Sequence, residues 1–143
     1  MTLTRLPGLV AIAILAMATG CQSSHSTDLQ AAIDHYDSGS LTLAKIESQR
    51  IYEQGGTEAP EAAWLIGLCD YRLGRQVAAR SAFALATDSP DPVLAARARA
   101  MIGQSYMDDD QPAAAAIQFE HAWPHLSGED RRKCAEHAAS AWA

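Results

Sequence analysis

Apolar residues recur along the chain at helical spacing, in short blocks separated by turn residues. Leu29, Ile33 and Tyr36 stand at i, i+4 and i+7, the stripe of an amphipathic helix. Trp64, Leu65, Leu68, Tyr71 and Leu73 form a second apolar surface in WLIGLCDYRLG, and Gly67 interrupts it. A glycine inside a helix costs about 1 kcal/mol relative to alanine, yet the same interruption returns at Gly103 in AMIGQSYMDDD. Asp91-Pro92 and the segment from Thr57 to Pro60 carry helix-start signals, because proline is preorganised for a first turn. Ser127 and Asp130 have the spacing of a capping box. They open a last helix over EDRRKCAEHAASAWA, with Cys134, Ala138, Ala141 and Trp142 on one face. The pattern predicts seven helices and an all-α fold.

Laying Gly67 over Gly103 brings other positions into register. Ile66 matches Ile102, Gly74 falls on Asp110, Ala79 and Phe83 fall on Ala115 and Phe119, and Ala86 falls on Ala122. The turn DSPDP closes the first of these units, and the region of Pro124 closes the second. An earlier copy begins near Asp28, where Gly39 aligns with Gly74, Ala44 with Ala79 and Ile51 with Ala86. In that copy Ala32 replaces the glycine and Ser48 replaces the phenylalanine. The repeat accounts for the interior glycines. Packed helices approach to about 8–10 Å, depending on the side chains at the crossing, so a position without a side chain admits Phe83 or Phe119 from the second helix. Burying an aromatic is worth about 1.5–3 kcal/mol, more than the helix propensity lost.

This pattern resembles the tetratricopeptide repeat, a helical hairpin with a small residue in its first helix, glycine at the turn, alanine and a large aromatic in its second helix, and proline at the exit. The family period is about 34 residues; here the interval from Gly67 to Gly103 is 36, with the extra residues in the turn. Ala63 and Arg99 stand where the family has tryptophan. The resemblance implies a right-handed superhelix of about three hairpins over residues 28–126. Residues 127–143 then form a capping helix over the exposed apolar end, or the first helix of an incomplete fourth unit. First helices in this family line a concave groove that binds extended or helical segments of partners. Carried over by aligned position, the groove would take Leu29, Ile33, Tyr36 and Asp37 from the first unit. The second would give Glu61, Trp64, Leu68, Tyr71 and Arg72, and the third Arg97, Ala100, Gln104, Met107 and Asp108. Trp64 sits one residue past the family's usual tryptophan, which turns it toward the groove; an alignment shifted by one makes it core instead. Both readings stay open here. The Lys/Asn clamp that some members use for a C-terminal carboxylate is missing.

At the N-terminus, Arg5 precedes LPGLVAIAILAMATGC, an apolar run ending in small residues before Cys21. A positive start, an apolar core too short to span a bilayer and a small-residue cleavage site make a signal peptide. A cysteine directly after Ala18-Thr19-Gly20 resembles the bacterial lipoprotein signal, with Ala18 in place of the usual leucine. That resemblance implies a signal peptide over residues 1–20, diacylation of Cys21 and a polar tether over residues 21–27. Two or three acyl chains give stable attachment where one is marginal. Gln22, rather than aspartate, follows the cysteine, which by resemblance to Gram-negative lipoproteins implies the outer membrane, facing the periplasm. An ordinary secretory peptide with an incidental cysteine is the alternative.

Composition narrows what remains. A chain of 143 residues is one domain by default. It is 48% hydrophobic with only two Phe, three Trp and four Tyr, which suits thin helical layers packed through alanine. The net charge of −6 and the absence of a Lys/Arg stripe argue against nucleic acid as a partner. His121 and His125 are four apart, and Cys134 and His137 three apart, spacings that zinc ligands use. Pro124 biases Trp123 away from helical geometry, so His121 and His125 are predicted not to share a face, and no metal or cofactor is expected. Cys69 and Cys134 lie two units apart, beyond the roughly 7 Å Cα reach of a disulfide, and are predicted as free thiols with Cys69 buried. Asp108, Asp109 and Asp110 read as a solvated turn. No nucleophile with its base, phosphate-cradling loop or paired carboxylates points to an enzyme. The sequence therefore predicts a non-catalytic, membrane-anchored adaptor or scaffold in the bacterial cell envelope, which holds another envelope protein in its groove. Similarity to envelope tetratricopeptide proteins suggests outer-membrane assembly, pilus biogenesis or cell-wall coordination as its setting. Self-association through the groove or the Trp142 end is the structural alternative, and a zinc-dependent activity through His121, His125, Cys134 and His137 is the enzymatic one.

Overall fold

The computed structural model describes residues 26–143. The signal peptide, Cys21 and most of the tether lie outside the described residues. Seven α-helices follow in order: α1 Thr27–Asp37, α2 Leu41–Gln54, α3 Ala59–Arg72, α4 Gln76–Ala86, α5 Pro92–Asp108, α6 Pro112–Ala122 and α7 Gly128–Trp142. A 3-10 turn over Trp123–His125 joins the last two, and no strand occurs among the described residues. The described residues are all-α, as the periodicity predicts. None of these helices is long and apolar enough to cross a membrane.

Each helix packs on its neighbour in sequence, and α1 also meets α3, as α3 meets α5. Within the pairs α1–α2, α3–α4 and α5–α6 the connection is three residues long, and the three connections close in the same way. Ser40, Arg75 and Gln111 donate their N–H to the carbonyls of His35, Asp70 and Tyr106, at 2.8, 2.9 and 2.8 Å. One residue earlier, Gly39, Gly74 and Asp110 donate to Tyr36, Tyr71 and Met107 at 3.0 Å each. This double bond pattern is the Schellman motif, which needs a residue in the left-handed region. Gly39 (φ +83°), Gly74 (φ +72°) and Asp110 (φ +55°) supply it. The aligned turn positions are thus conformationally equivalent, although only two are glycine.

The interior glycines sit where the phenylalanines cross. A Cβ built on Gly67 would lie 2.5 Å from Phe83 Cδ1, and one on Gly103 would lie 2.9 Å from Phe119 Cε1. Real Cβ atoms do not approach that closely, so alanine fits at neither position without displacing the ring. Phe83 is fully buried and Phe119 nearly so. In the first pair, Ala32 and Ser48 occupy the corresponding places and both are fully buried. Ser48 satisfies its hydroxyl by donating to the Ala44 carbonyl at 2.7 Å, so a small polar residue sits in the interior without an orphaned group.

The core is a chain of three small clusters. Tyr52 and Leu68 pack against both the first and the second, and Tyr106 packs against both the second and the third. Between pairs, a cation from one second helix reaches the next first helix. Lys45 on α2 donates to both carboxylate oxygens of Asp70 on α3, at 2.7 and 2.8 Å, and Asp70 is only 2% exposed. Arg75 adds a longer contact to the same carboxylate at 3.7 Å. Arg80 on α4 donates to Ser105 Oγ at 2.9 Å and to Asp109 at 2.6 Å, and its guanidinium lies 4.6 Å from the ring centroid of Tyr106. Lys45 follows Ala44 as Arg80 follows Ala79, so the two cations are themselves repeat-equivalent.

Helix α7 closes the far end through buried Cys134, Ala138 and Ala141. His137 stacks on Phe119 with ring centroids 5.4 Å apart. Three expectations need correction at this end. Trp142 is not on the buried face; it is 59% exposed, and its indole N–H donates to Glu120 at 2.7 Å. Ser127 is the N-cap of α7, but its side chain makes no capping hydrogen bond, and Asp130 turns outward to Arg97 at 2.9 Å. His121 and His125 do share a surface. Proline fits the first turn of a 3-10 helix as it does an α-helix, so the chain keeps winding through Pro124 and both imidazoles line one concavity with Arg99.

Candidate interaction groove

The first helices of the pairs, α1, α3 and α5, run side by side, and their shared face carries two concavities. The first, about 360 Å³, lies between α1 and α3 with Arg97 of α5 at its edge. The second, about 440 Å³, is bounded by Trp64 of α3, by α5 and by α7. Trp64 and Arg97 line both, so the two are adjacent parts of one trough.

Of the residues expected in the groove, the first concavity brings together Leu29, Ile33, Tyr36, Asp37, Glu61, Trp64, Leu68 and Arg97. Leu29 is 1% exposed and packs in the first core cluster, so it is floor and not contact surface. Gln104 and Ala100 line the second concavity. Tyr71, Arg72, Met107 and Asp108 line neither, because they are tied to neighbours. Tyr71 donates to Asp108 at 2.5 Å, and Gln104 donates to the other Asp108 oxygen at 3.0 Å. Burial and the bond to Asp108 push the Tyr71 phenol up to about 12. Arg72 lies over the Tyr36 ring at 4.8 Å and donates to the Tyr36 carbonyl at 3.1 Å. Met107 packs against the third core cluster. Tyr71, Arg72 and Asp108 thus brace the first helices against one another, while Met107 is held within its own pair.

Trp64 belongs to both readings left open above. One part of its ring meets Phe83, with centroids 5.3 Å apart, while the half-buried remainder lines the trough. An aromatic anchored on one side and open on the other is the kind of residue that concentrates binding energy.

The sequence reading missed the contribution of α7. Asp130, Lys133, Cys134 and His137 of α7 wall the second concavity, together with Leu126 just before it and Met101 of α5. Lys133 donates to Glu129 at 2.8 Å, which raises its pKa further above its ordinary range. It also missed the buried Asp70–Lys45 pair, for which the equivalence of Lys45 and Arg80 was the available signal.

Both remaining cysteines are buried and free. Burial raises each thiol from 9.0 to about 11, with the adjacent Asp70 carboxylate adding to the shift at Cys69. Thiols so protonated are poor nucleophiles at neutral pH. Among the described residues no three of His, Cys, Asp and Glu come together to hold a metal ion. His121 and His125 face one concavity and Cys134 and His137 another.

Comparison of the chain with family models, with curated proteins and with solved structures finds no match.

Proposed function

We propose that the protein is a non-catalytic adaptor whose three helical pairs form a right-handed, tetratricopeptide-like superhelix and hold a segment of another protein along the face of α1, α3 and α5. The observation that carries this reading is the trough itself. Two concavities join through Trp64, and their walls mix apolar side chains with a few charges, the composition of a peptide-binding surface. The equivalent turns at Gly39, Gly74 and Asp110 and the repeated glycine–phenylalanine crossings support the repeat architecture. The lipoprotein-like sequence at Cys21 supports attachment to the bacterial outer membrane, with the trough in the periplasm and an envelope protein as partner.

Two measurements test the two halves of this proposal. A photo-crosslinking amino acid at Leu68 or Ile33, in the full chain expressed in cells, should yield a discrete adduct that the same group at Val77, 70% exposed on α4, does not. Adducts from Val77 alone, or equal adducts from all three, exclude the trough as the binding face. Labelled palmitate should be incorporated by the wild-type chain and not by Cys21→Ser; equal incorporation refutes the anchor.

Self-association is the second reading, supported by the exposed indole of Trp142 at the α7 end. Sedimentation over a range of concentrations decides it: a dimer lost in Trp142→Ala supports this reading, and a monomer throughout excludes it.

A further inference from the structure

The trough is not electrically neutral in its first half. Glu61 and Asp37 both line the concavity between α1 and α3, and the side chain of neither makes a hydrogen bond or ion pair with any described residue. Glu61 Oε2 is buried and unpartnered; the other such oxygen among the described residues, Oε2 of Glu47, belongs to a carboxylate whose Oε1 lies 3.6 Å from His35. A buried carboxylate oxygen without a donor is destabilising, and native structures rarely keep one without a use for it.

The chain's own cations do not answer it. Arg72 is held over Tyr36 and bonded to the Tyr36 carbonyl. Arg97, at the edge of the same concavity, gives two hydrogen bonds to Asp130, at 2.9 and 3.2 Å. Arg99 lines the separate concavity beside His121 and His125. A carboxylate thus stands in the wall of a largely apolar concavity beside Trp64, Ile33 and Leu68, with its complement missing.

We infer that the segment held in the first concavity carries a lysine or arginine flanked by apolar side chains. Its cation pairs with Glu61 while its neighbours pack on Trp64 and Ile33. This rests on the peptide-binding reading of the trough and specifies the chemistry of the occupant. The two carboxylates along this concavity also select against acidic segments, because like charges in a partly desolvated site repel.

The test is a displayed library of random dodecapeptides panned against the full chain in detergent. The enriched peptides should share a basic residue next to a large apolar one and should lose binding to Trp64→Ala. Glu61→Gln, which keeps the side-chain shape, should bind the best of them at least tenfold more weakly, the factor one charge-assisted hydrogen bond carries. Replacing the peptide's basic residue with norleucine should cost the same factor against the wild-type chain and nothing further against Glu61→Gln. Asp37→Asn, at an exposed position that folding does not depend on, should weaken the same peptide by a smaller factor and reduce its salt sensitivity. Trp64-dependent peptides without a basic residue, or a basic residue uncoupled from Glu61, overturn the inference and leave the groove standing. Failure to recover any Trp64-dependent peptide overturns both.

Discussion

The pairs α1–α2 and α3–α4 perform the same chain reversal with opposite contents. In α3–α4 the crossing is a glycine against a fully buried phenylalanine, closed over by Trp64. In α1–α2 it is Ala32 and Ser48, two small buried residues, with the hydroxyl turned back onto its own helix. The difference extends to the first-helix face that meets the preceding pair. Asp70 lies under Lys45 of α2 and is buried; its counterpart in α1 is His35, with no pair before it among the described residues, partly open and 3.6 Å from Glu47. Buried Cys69 likewise corresponds to exposed Asp34. An inner pair is covered on two sides and fills its crossing with one large ring. An end pair is covered on one side and closes on small residues. The repeat therefore specifies a backbone path, and the side chains at each crossing answer to how many neighbours it has.

The sharpest way to break the comparison is at the ring. Phe83→Ala should destabilise the protein by about 3–5 kcal/mol, because the cavity left cannot collapse around Gly67. Ser48→Ala should change stability by no more than about 1 kcal/mol, since only a local hydrogen bond is lost. Urea titration of the two variants measures both, and similar losses would mean the crossings are not different in kind. Next comes the pairing between units. Asp70→Ala leaves the largely buried Lys45 ammonium without its carboxylate, and should cost about 3 kcal/mol. Combining it with Lys45→Met should recover much of that loss, a coupling that a double-mutant cycle reads directly.

Exchanging the small residues sharpens the comparison further. Gly67→Ala should destabilise by about 2 kcal/mol, since overpacking against Phe83 outweighs the propensity gained. Gly103→Ala should cost less, because its added carbon meets Phe119 at 2.9–3.0 Å and not at 2.5 Å. The reverse change, Ala32→Gly, should also destabilise, by about 1 kcal/mol from backbone entropy alone. A Gly67→Ala variant more stable than wild type would sink the packing account. At the turns, Asp110→Gly should stabilise by about 0.5 kcal/mol through relief of the left-handed conformation, with the same change in midpoint by thermal melting.

The thiols act only outside the neutral range. Both have folded pKa values raised from 9.0 to about 11, so the unfolded chain releases these protons first. Their contribution is fully present below pH 9 and is lost as the pH rises from 9 to 11. Cys69→Ala should flatten that alkaline decline in stability, and a thiol reagent at pH 8 should label neither cysteine of the folded chain at an appreciable rate.

Much of the fold was legible because its steric rule leaves paired traces in the sequence. A glycine inside a helix stands out, and Phe83 and Phe119 recur in step with Gly67 and Gly103, so the crossing could be read before any coordinates. The equivalence of Gly74 and Asp110 was legible for a similar reason, since alignment carries the left-handed turn across a change of residue. The Lys45–Asp70 pair left a fainter trace, only the alignment of Lys45 with Arg80. Its members stand 25 positions apart on different helices, and each looks like an ordinary surface charge. The role of α7 in walling the trough was hidden because Cys134 and His137 gain their places only once the helix docks on Phe119. Pro124 misled because a rule about the residue before proline was applied where the chain switches to a 3-10 turn. Leu29 was placed on the groove because helical spacing gives its face but not its depth. Trp64 was undecidable by register, since its ring spans the boundary that the alternatives divide.

Among the described residues, the side chains that pack against two of the three small core clusters at once are Tyr52, Leu68 and Tyr106. Disorder entering at one end must pass these side chains in turn, so the molecule has the mechanics of a short zipper with three teeth. Amide protons of α4 and the inner turns of α3 should exchange slowest with solvent, those of α1 and α7 fastest, and loosening one coupling ring should release the end beyond it while the remainder stays closed.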